Sequence, residues 1–299
     1  MTVLTRRQAL LAGMVAMLAA VAGCDEPGGS ERSAETSTPA SVAEVPKGRV
    51  RSGLVAIGDF GGGSAQAAVA RAMEAWAADH RVDALVTTGD NVYERGEPER
   101  FAAQLDQPYR ELRRTRPMWA TLGNHDVKAG HGAEQLRHLG LPDLPYVKSL
   151  PGLQLLFLDA NRAHREQASW LDARLSEPGP PLRAAIFHEP AWSCSRHDGS
   201  EQVGRHWVPV LEDHRVALVL TGHDHNYQRF LSPGGVTYVV TGGGGRGLYQ
   251  VDSCAAGTPR RAAAAVRHHF TAVEVRDDSL TVSAVGTDGG VFDRAVIRP

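Results

Sequence analysis

The chain has 299 residues, 42% hydrophobic and 22% charged, enough to bury a substantial core in one large domain or two small ones. A formal net charge of −2 with no concentrated Lys/Arg stretch argues against a nucleic-acid partner. The three cysteines, Cys24, Cys194 and Cys254, form no CxxC or zinc-ribbon spacing, and no repeat of solenoid period is evident.

The chain begins with a targeting signal. Thr5-Arg6-Arg7-Gln8-Ala9-Leu10-Leu11 supplies a charged start, and the apolar run that follows to Gly23 is too short for a comfortable membrane span. The paired arginines resemble a twin-arginine signal, with an ordinary secretory start as the alternative. Val21-Ala22-Gly23-Cys24 resembles a bacterial lipobox, in which the cysteine is lipidated, with simple cleavage after small residues as the alternative. Residues 1–24 are therefore read as a signal peptide with lipobox, 25–47 as a flexible Ser/Thr/Pro/Glu linker, and 48–299 as the folded domain. Lipidated Cys24 would attach an exported protein to the cell envelope, on the extracytoplasmic face of a membrane, without a spanning helix. Export would also permit Cys194 and Cys254 to pair, although the sequence gives no distance between them.

From about Arg49, strands alternate with helical patterns. Leu54 to Ile57, Ala84 to Val86 and Met118 to Leu122 read as buried strands. Ala65 to Ala78, Glu99 to Arg113 and Arg165 to Leu175 carry apolar stripes at helical spacing, read as core-facing helices. Leu153 to Leu158, Leu182 to Phe187 and Val216 to Leu220 add strands, with a helix near Gln202 to Leu211. After His225 the pattern turns to strands in short succession: Val236 to Val240, Phe270 to Arg276, Ser279 to Val285 and Val291 to Ile297. An α/β front half and an antiparallel back half predict two packed mixed β-sheets flanked by helices. Gly242 to Gly247 formally matches GxGxxG but opens no helix, so it reads as a turn that brings backbone close to the site. Gly61-Gly62-Gly63 reads the same way, since no P-loop Lys-Ser/Thr follows it.

Chemistry concentrates after the strands. Gly58-Asp59-Phe60-Gly61, Gly89-Asp90-Asn91-Val92-Tyr93, Gly123-Asn124-His125-Asp126, Phe187-His188-Glu189-Pro190 and Gly222-His223-Asp224-His225 each follow an apolar run, at the sheet edge where open α/β folds bind ligands. Clusters this rich in Asp, Asn, His and Tyr read as a metal site rather than as packing. Two neighbouring cations repel, so a stable pair needs anionic donors and one donor shared between them. Asp90 and Tyr93 lie on one loop and can turn to one ion, while a bend after His223 can send His223 and His225 to different ions. The neutral amide oxygen of Asn124 suits a divalent ion.

These blocks resemble those of the calcineurin-like metallophosphoesterases. Tyr93 in the second block, and glycine rather than histidine in the first, resemble the purple acid phosphatase branch. The resemblance covers roughly Leu54 to Gly247. It implies an αββα sandwich in which Asp59, Asp90, Tyr93 and His225 hold one ion and Asp90, Asn124, His188 and His223 the other, with Asp90 as bridge. The phenolate of Tyr93 favours Fe(III) at the first site, and the second would take Zn(II), Mn(II) or Fe(II). The implied activity is hydrolysis of small phosphate monoesters, the ions holding the phosphoryl oxygens and activating water. His125 would protonate or hydrogen-bond the leaving-group oxygen with Asp126 orienting it, and His197 would be a substrate-side histidine. A phosphodiesterase on the same centre, and a catalytically silent phosphate-binding lipoprotein, are the competing functions. Tyr146, Asn161 and Tyr227 have no assignable role, and the remaining histidines match no block.

Overall fold

A computed structural model describes residues 42–298 of the chain. The strands are β1 (Ser52–Ile57), β2 (Ala84–Thr87), β3 (Met118–Ala120), β4 (Tyr146–Leu150), β5 (Leu153–Phe157), β6 (Leu182–Ile186), β7 (Leu218–Thr221), β8 (Tyr227–Leu231), β9 (Thr237–Thr241), β10 (Arg260–Ala265), β11 (His269–Val275), β12 (Leu280–Gly286) and β13 (Val291–Ile297). The α-helices are α1 (Ser64–Asp79), α2 (Arg110–Arg113), α3 (Asn124–Val127), α4 (Gly132–His138), α5 (His164–Ser176), α6 (Glu201–His206) and α7 (Val208–Asp213).

The strands form a six-stranded sheet ordered β13-β12-β11-β1-β2-β3 and a seven-stranded sheet ordered β10-β8-β9-β7-β6-β5-β4. In the first, β1, β2 and β3 run parallel and β11 to β13 continue antiparallel. In the second, β5, β6, β7 and β9 run parallel. Both sheets therefore bring the C-terminal ends of their parallel strands to one side, where the ligand-bearing loops begin.

Three apolar layers explain the αββα order. Leu54, Ala56 and Val86 of one sheet pack against Leu155, Phe157, Ile186 and Leu220 of the other, all buried. Val55, Ile57 and Leu85, on the opposite face of the first sheet, pack on Val69 and Met73 of α1. Leu156, Ala185 and Val219 meet Leu171 of α5 and Trp207. Alternate residues of β1 and β5 thus serve different layers, and the strands read as continuous apolar runs because both faces are covered.

Three expectations change. The helix read over Glu99 to Arg113 is broken into a 3-10 turn (Pro98–Arg100), a π-turn (Ala102–Asp106) and α2. Gln104 in the widened turn is buried; its Oε1 accepts the Tyr93 N–H at 2.9 Å, and its Nε2 donates to the Tyr93 carbonyl at 3.2 Å. Pro108, which lacks an N–H, follows one residue beyond it, after Gln107. The helix near Gln202 to Leu211 is divided at Trp207, with Pro209 early in α7. The linker read to residue 47 is attached earlier: Val42 bridges Arg294, and the Ala43 N–H donates to the Arg294 carbonyl at 3.2 Å. The signal-peptide readings, with Arg6, Arg7 and Cys24, lie outside the described residues. Among the described residues, no helix is long and apolar enough to cross a membrane.

Candidate metal centre

The seven sequence-predicted donors meet at the C-terminal edges of the two sheets. Asp59 follows β1, Asp90 and Tyr93 follow β2, Asn124 opens α3 after β3, His188 follows β6, and His223 and His225 follow β7. Neighbouring loops can converge only where they lack bulk. A Cβ on Gly123 would fall 2.1 Å from Asp90 Oδ1, and one on Gly222 would fall 2.4 Å from Asp59 Oδ2. Gly242, in the later glycine run, would place its Cβ 2.8 Å from Asp59 Oδ2. The run lets backbone pass against the site, as expected.

The donors fall into two groups. The Tyr93 hydroxyl stands 2.9 Å from Asp90 Oδ2, 3.4 Å from Asp59 Oδ1 and 3.3 Å from His225 Nε2. Asn124 Oδ1 stands 3.1 Å from His188 Nε2 and 3.1 Å from His223 Nδ1, and His188 Nε2 is 3.5 Å from Asp90 Oδ1. Asp90 divides its carboxylate, Oδ2 toward the first group and Oδ1 toward the second. Donors about 2.0–2.2 Å from one ion and at right angles to each other stand about 3 Å apart. The donor set therefore fits two cations with one carboxylate between them.

The histidines are held in the tautomer such a role needs. A carbonyl only accepts, so His188 Nδ1–H donates to Thr88 O at 2.9 Å and His225 Nδ1–H donates to Gly247 O at 2.7 Å. Their Nε2 lone pairs are left facing the centre. His223 presents Nδ1 instead, from a backbone φ of 72°. The different nitrogens of His223 and His225 accompany their division between the two groups.

Burial dominates the local electrostatics. It pushes the Asp59 carboxyl well above its ordinary value, with Asp90 adding to the rise, and it also raises the Tyr93 phenol. Burial lowers His223 to about 2, with the surrounding histidines contributing, and lowers His225 to about 4. Two carboxylates and a phenol packed this closely repel one another as anions, and cations between them reverse that penalty.

His125 reaches the same place. Its Nδ1–H donates to the Glu94 carbonyl at 2.6 Å, its ring lies 4.4 Å from that of Tyr93, and Nε2 is 4.0 Å from Asp90 Oδ2. Asp126 does not orient it, contrary to the sequence expectation. The buried Asp126 carboxylate instead accepts from the Asn91, Val92 and Gly123 N–H groups at 2.8–3.1 Å and from Gln135 Nε2 at 2.9 Å. Burial pushes it up to about 6, with Asp90 adding to the rise. It ties the Asp90 loop to the Asn124 loop. Consecutive residues at a helix start point in different directions, so adjacency to His125 brings no contact.

His197 also lies beside the centre, its ring 4.3 Å from that of His223 and its backbone N–H donating to Asp224 Oδ1 at 3.2 Å. Asp224, inside the last motif, also accepts from the Ser193 hydroxyl, an anchoring role that its place between two histidines does not signal. Tyr249, stacked on His225 with centroids 4.1 Å apart and planes at 15°, has no local sequence signal. Tyr146 and Tyr227 belong to the scaffold: Tyr146 Oη donates to Ala120 O at 2.7 Å, and Tyr227 Oη donates to Asp293 at 2.6 Å. Asn161 Nδ2 donates to Leu122 O at 3.1 Å, bracing the loop before Asn124. Cys194 and Cys254 form a disulfide with an S–S distance of 2.04 Å.

The model of the calcineurin-like phosphoesterases matches residues 54–227, which contain every predicted donor. The chain belongs to that family. It is 25% identical over 228 residues to purple acid phosphatase 3 of Arabidopsis thaliana, covering 64% of this chain and 62% of the relative. It is likewise 25% identical over 200 residues to human tartrate-resistant acid phosphatase type 5, covering 54% of this chain and 61% of that protein. The chain spans less than two thirds of the length of each of these relatives. Purple acid phosphatase PPD1 from yellow lupin seeds shares the fold, with a TM-score of 0.73 at 16% identity over 84% of this chain and 54% of that one.

Proposed function

We propose that this protein is a two-metal phosphatase that hydrolyses small phosphate monoesters outside the cytoplasm. The observation that carries the reading is the divided Asp90 carboxylate, which faces Tyr93 with one oxygen and His188 with the other. Asp59, Asp90, Tyr93 and His225 would hold one ion, and Asp90, Asn124, His188 and His223 the second. The phenolate donor suits Fe(III) in the first group; the neutral amide and two imidazoles of the second suit Zn(II), Mn(II) or Fe(II). Bound there, the ions supply Lewis acidity to a phosphoryl group and to water.

The other residues supply direction and protons. His125, its Nδ1–H fixed on the Glu94 carbonyl, presents Nε2 for transfer of a proton to the leaving-group oxygen. His197, anchored through Asp224, is placed to hydrogen-bond the substrate phosphoryl group. Export is supported by the Cys194–Cys254 disulfide, since oxidising compartments preserve such bonds. Lipidated Cys24 would then hold the protein on the extracytoplasmic face of a membrane, a reading that lies outside the described residues.

The test is side-by-side turnover of an aryl phosphate monoester and the matching diester by metal-loaded protein and by Asp90→Asn. We expect the monoester to be preferred and its turnover to fall at least about 10³-fold in the variant, because both groups share that carboxylate. Preference for the diester would shift the assignment to a phosphodiesterase. Near-normal turnover by Asp90→Asn with full metal content would sink the two-metal reading.

A further inference from the structure

Four arginines scattered in the sequence meet in one groove of about 420 Å³: Arg229 of β8, Arg260 of β10, Arg294 of β13 and Arg298 just beyond it. β10 and β13 are edge strands, one of each sheet. The buried Arg229 is neutralised by Asp293, at 2.7 and 2.9 Å. The other three form no ion pair among the described residues. Arg260 and Arg298 are exposed, and Arg294 Nε donates to the Ser283 hydroxyl at 3.2 Å. A chain with a formal net charge of −2 therefore carries an uncompensated cationic patch here.

The groove is also where the described chain enters the fold. Ala43 lines it, and Val42 bridges Arg294. Among the described residues three large apolar side chains are exposed, and two of them, Val42 and Val45, lie to either side of Ala43. Exposed apolar groups beside unpaired cations suit a lipid–water interface, where guanidinium forks meet phosphates. Strand register puts the groove at the far end of both sheets from the metal centre. Arg260 pairs with Leu231, and Leu231 with Thr237 at the start of β9, which runs on to Gly242 beside Asp59. Ile297, just before Arg298, pairs with Leu280, Leu280 with Val275, and Val275 with Ser52 at the start of β1, whose other end leads to Asp59.

We infer that this groove is a docking face for the headgroups of an anionic membrane, with Arg260, Arg294 and Arg298 holding lipid phosphates. The inference rests on the reading of Cys24 as a lipid anchor. Residues 25–41 reach no further than roughly 60 Å when fully extended, which keeps the face within range of the bilayer. At physiological salt three arginines do not retain a protein on a membrane by themselves; they orient what the anchor retains. Seated this way, the domain turns its metal centre away from the lipid and toward water-soluble esters.

The experiment measures partition of the full chain, isolated after export, into phosphatidylcholine vesicles with and without about a third of phosphatidylglycerol. At low salt the anionic vesicles should be preferred about a hundredfold, since each of three arginines near the surface contributes about fivefold. The preference should collapse as salt rises from about 0.05 to about 0.5 M. Arg260→Gln and Arg298→Gln, at exposed positions, should each cut it about fivefold, whereas Arg71→Gln at an exposed position of α1 should leave it unchanged. Backbone hydrogen exchange over 260–262 and 294–298 should be slower on anionic vesicles than on neutral ones. Equal partition into both vesicles, or an equal effect of Arg71→Gln, would overturn the docking face. So would equally slow exchange on both, which Asp25, Glu26, Glu31 and Glu35 of the chain itself would give by filling the groove. Slowing by inorganic phosphate without vesicles, and none by anionic lipid, would assign the groove to a free anion instead. If the protein does not bind neutral vesicles, the Cys24 anchor fails and anionic vesicles alone decide: binding that the arginine variants weaken upholds the face, and binding that they leave intact refutes it.

Discussion

Asp59, Asp90 and His223 hold backbone φ values of 57°, 50° and 72°, a region that side-chain-bearing residues seldom enter. Five non-glycine residues do so among the described residues, and these three are all candidate donors. Such strain gathers where the surroundings over-determine a functional geometry. Here the surroundings are specific: Asp59 accepts the His223 N–H at both oxygens, 3.0–3.1 Å away, and Asp90 accepts the His125 N–H at 2.8 Å. Among the described residues, one buried histidine lies outside the donor set. His269 is fully buried, its Nδ1–H donating to Arg267 O at 2.9 Å, and burial lowers it from 6.5 to about 4. The folded protein keeps it neutral while the unfolded chain takes up a proton below about pH 6.5. Its contribution is therefore complete above that pH and is lost as the pH falls toward 4, on the order of 3 kcal/mol. In His269→Gln the fall in unfolding free energy between neutral pH and about pH 4 should shrink by that amount; equal falls in both proteins would show that the histidine is not what makes the fold acid-sensitive. The donors themselves were legible because each lies in a short block directly after an apolar strand. The partners that hold them and His125 were less so, since Thr88 O, Gly247 O and Glu94 O are backbone groups that carry no residue-type signal.

At the scale of elements, the two sheets are clasped near both edges. At one edge Tyr146 of β4 hydrogen-bonds both the N–H and the carbonyl of Ala120 in β3, at 3.0 and 2.7 Å. Near the other, Asp293 of β13 accepts from Arg229 of β8 at 2.7 and 2.9 Å and from the Tyr227 hydroxyl at 2.6 Å, all three residues being buried. Removing the charge from Asp293 leaves Arg229 buried without its partner. Asp293→Asn should therefore cost about 3–5 kcal/mol in denaturant unfolding, and a cost below about 1 kcal/mol would mean that solvent relieves the arginine. Sequence reasoning missed β4, β8 and β10, and in β8 and β10 the pattern itself fails. β8 reads Tyr-Gln-Arg-Phe-Leu because Gln228 and Arg229 are buried in hydrogen bonds, and β10 is Arg-Arg followed by a run of alanine with no alternation. The stripe through Phe101, Leu105, Tyr109 and Leu112 did find core residues, all buried, although the backbone there leaves the α-helix to deliver Gln104 to Tyr93.

At the scale of the molecule, the front half and the later strands meet at a junction where β1 pairs parallel with β2 and antiparallel with β11, while β9 pairs parallel with β7, so the back half is antiparallel only in part. That junction lets strands from both ends of the domain support one metal centre. The proposed delivery to the cell surface would rest on residues 1–24. Cys24→Ser should release the protein from membranes and replacement of Arg6-Arg7 by two lysines should block its export, as fractionation and immunoblotting would record; a Cys24→Ser protein that stays with the membrane would rule out the lipid anchor. The centre itself is tested most directly by metal analysis together with the visible spectrum of oxidised protein isolated after export, wild type beside Tyr93→Phe. A phenolate on Fe(III) transfers charge to the metal in visible light, whereas phenylalanine keeps the buried ring and removes the oxygen. The account predicts two metal ions per chain, iron among them, and a visible band in the wild type that Tyr93→Phe loses while remaining folded. A single ion per chain, or a band that persists unchanged in Tyr93→Phe, would contradict it.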